Sequence, residues 1–213
     1  MNIRPAIQVE RMKEEHKVAV SELLLQGFCS KLQLGTGLNN AQLQWMLERF
    51  LVLDEQRGEG QRMVAVQEGS VIGSLSLQFQ SRSGEPRRST TVMDLLSMWK
   101  GIREVGWRKA LGFAVRLACL SHRPGCGELY IADVSVHEKF RGAGVGKTML
   151  EWVLREAASR PGIRYASLHV SGSNVGAKRL YDRMGFRTLK AQRSTIMKWL
   201  FGEQEWNYMI QER

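Results

Sequence analysis

Residues 134–148 read Val134-Ser135-Val136-His137-Glu138-Lys139-Phe140-Arg141-Gly142-Ala143-Gly144-Val145-Gly146-Lys147-Thr148. An apolar, strand-like run (Glu128–Val136) passes into a loop with glycines at 142, 144 and 146 and then into a helical pattern that ends near Arg160-Pro161-Gly162. Glycines let backbone turn tightly and approach a ligand closely. Free N–H groups at a helix start, aligned with the helix dipole, attract an anion. Arg141 and Lys147 place positive charge at both ends of the loop. The stretch therefore predicts a pyrophosphate-binding turn between a strand and a helix.

Three kinds of phosphate loop compete for these residues. A Walker A loop has the pattern G-x-x-x-x-G-K-[ST]. Gly146-Lys147-Thr148 supplies its end, but Arg141 stands where the first glycine belongs. A dinucleotide loop has G-x-G-x-x-G, and here the third glycine arrives one residue early and deep in the chain. The third pattern, [QR]-x-x-G-x-[GA], is met by Arg141-Gly142-Ala143-Gly144-Val145-Gly146 and resembles the CoA loop of the GNAT superfamily of N-acetyltransferases. A second stretch, from Asn174 through Ala177 and Tyr181 to Gly185-Phe186, resembles that family's N-x-x-A-x-x-x-Y-x-x-x-G-F pattern.

The resemblance covers Glu128–Arg187 closely. It implies an α/β (α+β) GNAT fold: a central mixed, mostly antiparallel sheet flanked by helices, with splayed strands at the CoA site. It implies acetyl-CoA as co-substrate, bound by Val134, Ser135, Val136, Arg141, Gly142, Ala143, Gly144, Val145, Gly146, Lys147, Asn174, Ala177 and Tyr181. Tyr181 is the family-matched acid for the departing thiolate. The base is not named by the resemblance. Asp133 and Glu128 lie on the strand bordering the site and His137 follows it; Asp133 is the choice as base or amine-binding group, since an acid is unusual within Tyr130-Ile131-Ala132-Asp133-Val134. A bulge in this strand would change which face Asp133 shares with Ser135. The implied reaction is N-acetyl transfer to a primary amine of a small molecule or protein; a non-catalytic CoA-binding sensor or scaffold is the alternative.

Elsewhere the 213 residues read as one domain spanning 1–213. Apolar alternation marks strands at Ile7–Met12, Met63–Val66 and Val71–Gln80, the last two joined by Glu68-Gly69-Ser70 as an antiparallel hairpin. Helical periodicity marks Glu14–Phe28 and Ala41–Leu53, with Asn40 placed to cap the second. Later strands fall at Arg164–Val170, Phe186–Gln192 and Glu205–Gln211, with helices at Asn174–Met184 and Ser194–Phe201.

Residues 81–126 replace what the resemblance implies is a short connection into the CoA strand, and Thr90–Pro124 has no counterpart in the minimal family fold. Leu95, Leu96, Trp99, Ile102 and Val105 fit one helix face; after a break at Gly106, Leu111, Ala114, Val115 and Ala118 fit another. Between Arg87 and Arg123 lie eight basic and two acidic residues, more than half of the chain's net charge of +10. This basic helical insertion is expected near the acceptor side. It covers a sheet face or forms a homodimer contact; a lid over the acceptor and a surface for anionic lipid or nucleic acid are the other readings.

Three scattered cysteines with no CxxC pair and four histidines without ligand spacing predict a reducing, cytoplasmic setting, no disulfide framework and no metal. The longest apolar stretch, Ala110–Leu120, is too short to span a bilayer, and no nucleic acid partner is expected.

Overall fold

The computed structural model describes residues 6–57, 60–80, 99 and 101–212. The elements run β1 (Gln8–Arg11), α1 (Lys17–Gln33), α2 (Asn40–Arg57), β2 (Gly60–Gln67), β3 (Ser70–Phe79), α3 (Trp107–Leu120), β4 (Glu128–Val136), α4 (Val145–Ser159), β5 (Tyr165–Ser171), α5 (Val175–Arg183), β6 (Arg187–Arg193), α6 (Thr195–Phe201) and β7 (Glu205–Glu212). One seven-stranded sheet has the order β1-β2-β3-β4-β5-β7-β6. Every neighbouring pair is antiparallel except β4 and β5, which are parallel and joined by α4. A parallel pair cannot be closed by a tight turn, so the glycine loop and α4 form the crossover.

Alternation along the strands divides the core in two. Met63, Ala65, Leu75, Leu77, Leu129, Ile131 and Leu168 pack with Val145, Met149, Leu150 and Val153 of α4 and Tyr181 of α5. Val64 joins Val20 and Leu24 of α1, Leu43, Leu47 and Leu51 of α2, and Phe113 of α3. Each of the Val, Leu, Ile, Met and Phe side chains among these, taken wholly out of water, contributes about 1.5–3 kcal/mol. Their insulation leaves α4 and α5 on one face of the sheet and α1, α2 and α3 on the other.

Several boundaries differ from the sequence expectations, each for a local reason. The first helix extends to Gln33, because Leu32 adds to the second core. Asn40 is already inside α2; the cap is Asn39, whose Oδ1 accepts from the Gln42 amide at 2.8 Å. The β2–β3 hairpin turns on two residues, Glu68 and Gly69, both with positive φ (50° and 75°), the handedness that suits the strand twist.

The first insertion helix is described only at residue 99 and over 101–105, which are helical; Ser81–Arg88, Leu95 and Leu96 lie outside the described residues. The chain does break at Gly106, with φ of 95°. In α3, however, the expected face is reversed. Leu111 and Val115 are exposed, and Ala110, Phe113 and Arg116 are buried. The Arg116 guanidinium donates to the carbonyls of Gly112, one turn back in α3, and of Leu34, just past α1, so an arginine holds a core-facing place with backbone acceptors at its tip. No helix among the described residues is long and apolar enough to cross a membrane.

Candidate active site

The sheet opens where β4 and β5 part. Their parallel pairing runs from Glu128↔Tyr165 to Ile131↔Leu168 and stops, although β4 continues to Val136 and β5 to Ser171. The parting coincides with a bulge. Asp133 lies opposite Ser76 and Ile131 opposite Leu77, which leaves Ala132 as an extra residue in β4. A bulge bends and twists its strand, and here it carries residues 132–136 away from β5.

On its other edge this stretch stays paired to β3. The His137 amide donates to the Ile72 carbonyl at 2.9 Å. Opposed residues of an antiparallel pair alternate between exchanging hydrogen bonds with each other and turning their backbone groups outward. Counting back from His137 by twos, Ser135 faces β3, whereas Val134 and Val136 aim their N–H and C=O groups into the open gap. Arg141 Nε takes up part of that edge, donating to the Val136 carbonyl at 3.3 Å.

The glycine loop lies at the end of β4. A short 3-10 turn, Glu138–Phe140, precedes it, and α4 starts at Val145. Gly142 and Gly144 have φ of 79° and 93°, and a side chain at either would meet nothing within 4 Å. These two glycines therefore serve backbone conformation and leave the space above the loop clear. Gly146 serves packing instead. A Cβ there would come 3.1 Å from Leu180 Cδ2, so its absence permits close contact with α5. Gly73 of β3 does the same from beneath, where Val145 and Met149 would crowd a Cβ at 3.1 and 3.0 Å. The Thr148 amide closes the first helical bond onto Gly144, while the amides of Val145, Gly146 and Lys147 find no backbone carbonyl among the described residues. Arg141 and Lys147 are at the surface, the latter 3.5 Å from Glu151. Ala143 completes the turn through its amide to Phe140.

Asn174 caps α5 by accepting from the Ala177 amide at 3.2 Å. One helical stretch on, Tyr181 is 8% exposed, packed on Phe186 and in contact with the α4-side core. Burial, with the charge of Asp133 adding to it, pushes the Tyr181 phenol up to about 12. It is thus a neutral O–H donor at ordinary pH, and its hydroxyl has no hydrogen-bond partner among the described residues.

The opposite face of the gap is polar. Asp133 accepts from Arg62 Nη1 and Nη2, both at 2.8 Å, and Arg62 Nη1 also reaches Ser74 Oγ at 3.2 Å. Burial disfavours the Arg62 cation, but the facing Asp133 more than offsets this and the guanidinium's pKa is raised. Ser135 is buried beneath α1 at Gly27, and its hydroxyl is unpartnered. At the mouth, Lys31 lies 5.3 Å over the Trp206 ring. Glu203 there accepts from Ser173; burial opposes its charge, but Ser173, Ser171 and Lys31 hold it below the ordinary carboxylate range.

The structure places Val134 and Val136 on the open edge of β4, residues 141–147 in the turn and helix start that follow, and Tyr181 on α5, whose Leu180 meets Gly146; Ser135 faces α1 instead, and Asn174 and Ala177 form the cap of α5. His137 stays at the loop, its Nδ1 accepting from the Lys139 amide. Sequence reasoning missed Arg62. An arginine beside the apolar run Met63-Val64-Ala65-Val66, with a lone aspartate on another core strand, was the available signal.

The sequence model for the family described as Acetyltransferase (GNAT) family matches residues 32–186. The chain is 38% identical over 64 residues to GCN5-related N-acetyltransferase 4, chloroplastic, of Arabidopsis thaliana, a stretch that is 30% of this chain and 22% of that protein. It is 42% identical over 60 residues to the uncharacterized N-acetyltransferase YycN of Bacillus subtilis (strain 168), 28% of this chain and 38% of that protein. The matches thus span well under half of either relative's length. Among solved structures, a GNAT family acetyltransferase from Elizabethkingia anophelis with acetyl-CoA bound shares the fold at a TM-score of 0.57, with 14% identity over 97% of this chain and 98% of that one.

Proposed function

The chain belongs to the acetyltransferase (GNAT) family, and we propose that it moves the acetyl group of acetyl-CoA to a primary amine of a small molecule or protein. The observation that carries this reading is the gap between β4 and β5, with outward-facing backbone at Val134 and Val136 leading straight to the free amides at the start of α4.

In this reading the pyrophosphate rests on the amides of Val145, Gly146 and Lys147, with Gly142, Ala143 and Gly144 shaping the turn. Arg141 and Lys147 add charge from the rim. The pantetheine arm extends β4 as a false neighbour strand, pairing with Val134 and Val136 in the place β5 has vacated. Ser135 keeps the strand seated on β3, and Asn174 and Ala177 close the α5 side. The Val134 amide is the donor for the thioester carbonyl, whose oxygen gains charge as the amine attacks.

With the cofactor on the α4–α5 side, the acceptor amine enters from the α1 side, past Lys31, Trp206 and Glu203. Holding amine and thioester in contact supplies most of the acceleration. The amine nitrogen bonds to the carbonyl carbon, the C–S bond breaks, and Tyr181 protonates the leaving sulfur. A free thiol ionises near 8.5, so the thiolate leaves readily and this protonation helps only modestly. Asp133, with both oxygens on Arg62, is better suited to hold the bulged strand and attract a cationic acceptor than to remove a proton.

Release of CoA thiol with acetyl-CoA and a panel of amines tests the proposal, with product mass identifying the acceptor. Tight acetyl-CoA binding with no transfer to any amine would favour a sensor or scaffold instead.

A further inference from the structure

A second polar cluster lies at the foot of the gap, and neither the cofactor nor Tyr181 accounts for it. Glu128, at the start of β4, is 3% exposed. Its Oε1 accepts from His122 Nε2 at 2.9 Å, from Tyr208 at 2.8 Å and from Ser167, and its Oε2 accepts from the Gly125 amide at 2.7 Å. Burial opposes the charge, but these donors, His122 foremost, bring the carboxyl down to about 2. A carboxylate with four donors on it stays ionised at ordinary pH and is a poor base.

Its ionisation fixes the His122 tautomer. Facing a carboxylate, Nε2 must carry the hydrogen, which leaves Nδ1 of the neutral ring as a bare acceptor. The side chain is 26% exposed, and Nε2 makes its only ring hydrogen bond among the described residues. The ring lies 4.2 Å from Tyr130 of β4, 5.3 Å from His169 of β5 and 5.9 Å from Tyr208 of β7. His169 is the first residue of β5 beyond its last pairing with β4, at the apex of the gap, and its Nδ1 is 3.0 Å from the Tyr130 hydroxyl. The Tyr130 phenol, raised first by burial and then by Glu128, also feels Asp133 and Tyr181. His169 thus carries the cluster to the apex of the gap, and Tyr130, opposite Gln78, shares the sheet face of Ser76 and Asp133.

We propose that His122, delivered by the segment linking α3 to β4, is the base that takes the proton from the acceptor ammonium, with Glu128 as its positioning residue. The inference rests on the acetyl-transfer reading above. His122 Nδ1 removes one proton from the ammonium and passes it to water at its exposed edge. The neutral amine forms the C–N bond as the C–S bond breaks. Tyr181 gives its proton to the sulfur and regains one from the acylated nitrogen. The sum is one amide, one CoA thiol and one proton released to solvent. The insertion then acts in the chemistry rather than only covering the sheet.

The full chain is assayed with acetyl-CoA and spermidine, phenethylamine and a lysine-containing peptide, using whichever turns over fastest. His122→Ala should lower kcat by about 10²-fold or more, the low end of a positioned base's contribution, with KM for acetyl-CoA unchanged. Added imidazole should restore part of that loss. His122→Gln keeps a donor for Glu128 but has no basic nitrogen, so it should be as slow as the alanine variant. A His122→Gln protein with wild-type kcat would reduce His122 to a latch and overturn the inference. So would a loss in His122→Ala that imidazole leaves untouched. Wild-type protein that binds acetyl-CoA yet turns over no amine would sink the acetyl-transfer reading and this inference with it, an outcome separate from an active wild type with an equally active variant.

Discussion

Replacing Arg62 by methionine would remove the cation on which both Asp133 oxygens rest. The guanidinium side chain is 4% exposed and the carboxylate 16%, so the stranded charge lies in a poor solvent. Breaking such a pair from one side costs about 3–5 kcal/mol, and that loss should appear as a lower urea midpoint. Substituting both partners with apolar residues of similar size should cost less, because no uncompensated charge remains. Tyr181→Phe should act differently. The ring still packs on Phe186 and stability barely changes, while acetyl transfer slows by up to about 10²-fold because only the acid is lost. Equal rates for the two proteins would remove Tyr181 as the acid. Tyr181 was legible in the sequence because its spacing from Asn174 and Gly185 is a local property of one helix. The Arg62–Asp133 pair was not, since 71 residues of chain separate its members and only sheet pairing joins them.

At the scale of elements, the glycine loop separates backbone need from packing need. Gly144 adopts a left-handed conformation (φ 93°, ψ −4°) at the helix cap, which costs a non-glycine residue roughly 1–2 kcal/mol. Gly144→Ala should therefore weaken acetyl-CoA binding measurably by calorimetry, although no neighbour clashes with the new methyl. In Gly146→Ala the strain is steric instead, against the flexible tip of the Leu180 side chain, and a shift of α5 can relieve it. The first variant should lose more affinity than the second. The α3 helix shows where periodicity misleads. Its two stripes are both largely apolar, and the buried one carries Phe113 into the second core and Arg116 onto the Leu34 carbonyl, a contact that a hydrophobicity pattern does not contain.

For the whole molecule, the buried Glu128 and the half-buried His169 at the foot of the gap set the response to acid. Burial above all, with His122 adding and Glu128 opposing, holds His169 down at about 4, against an ordinary 6.5. The unfolded chain therefore binds a proton that the folded chain refuses, and stability falls as pH drops from 6.5 towards 4. Glu128, at about 2 against an ordinary 4.5, continues the loss between pH 4.5 and 2. Urea midpoints recorded from pH 7.5 to 3 should decline in two stages, and His169→Gln should flatten the upper one. A midpoint constant down to pH 4.5 would contradict the burial of His169. The amino-acid sequence alone determined the strand, glycine turn and helix at 128–159, the α5 helix with its tyrosine, and the order of most strands and helices. All of these follow from residue spacing within one short segment, where backbone sterics and helical or strand period act directly. Tertiary structure alone decided the parting of β4 from β5 at Ile131 and Leu168, the bulge at Ala132, the pairing of Arg62 with Asp133, and the meeting of His122, Glu128, Tyr130, His169 and Tyr208. Those features depend on which distant strands lie side by side, and that is set by the balance of packing across the whole sheet rather than by any one stretch of chain.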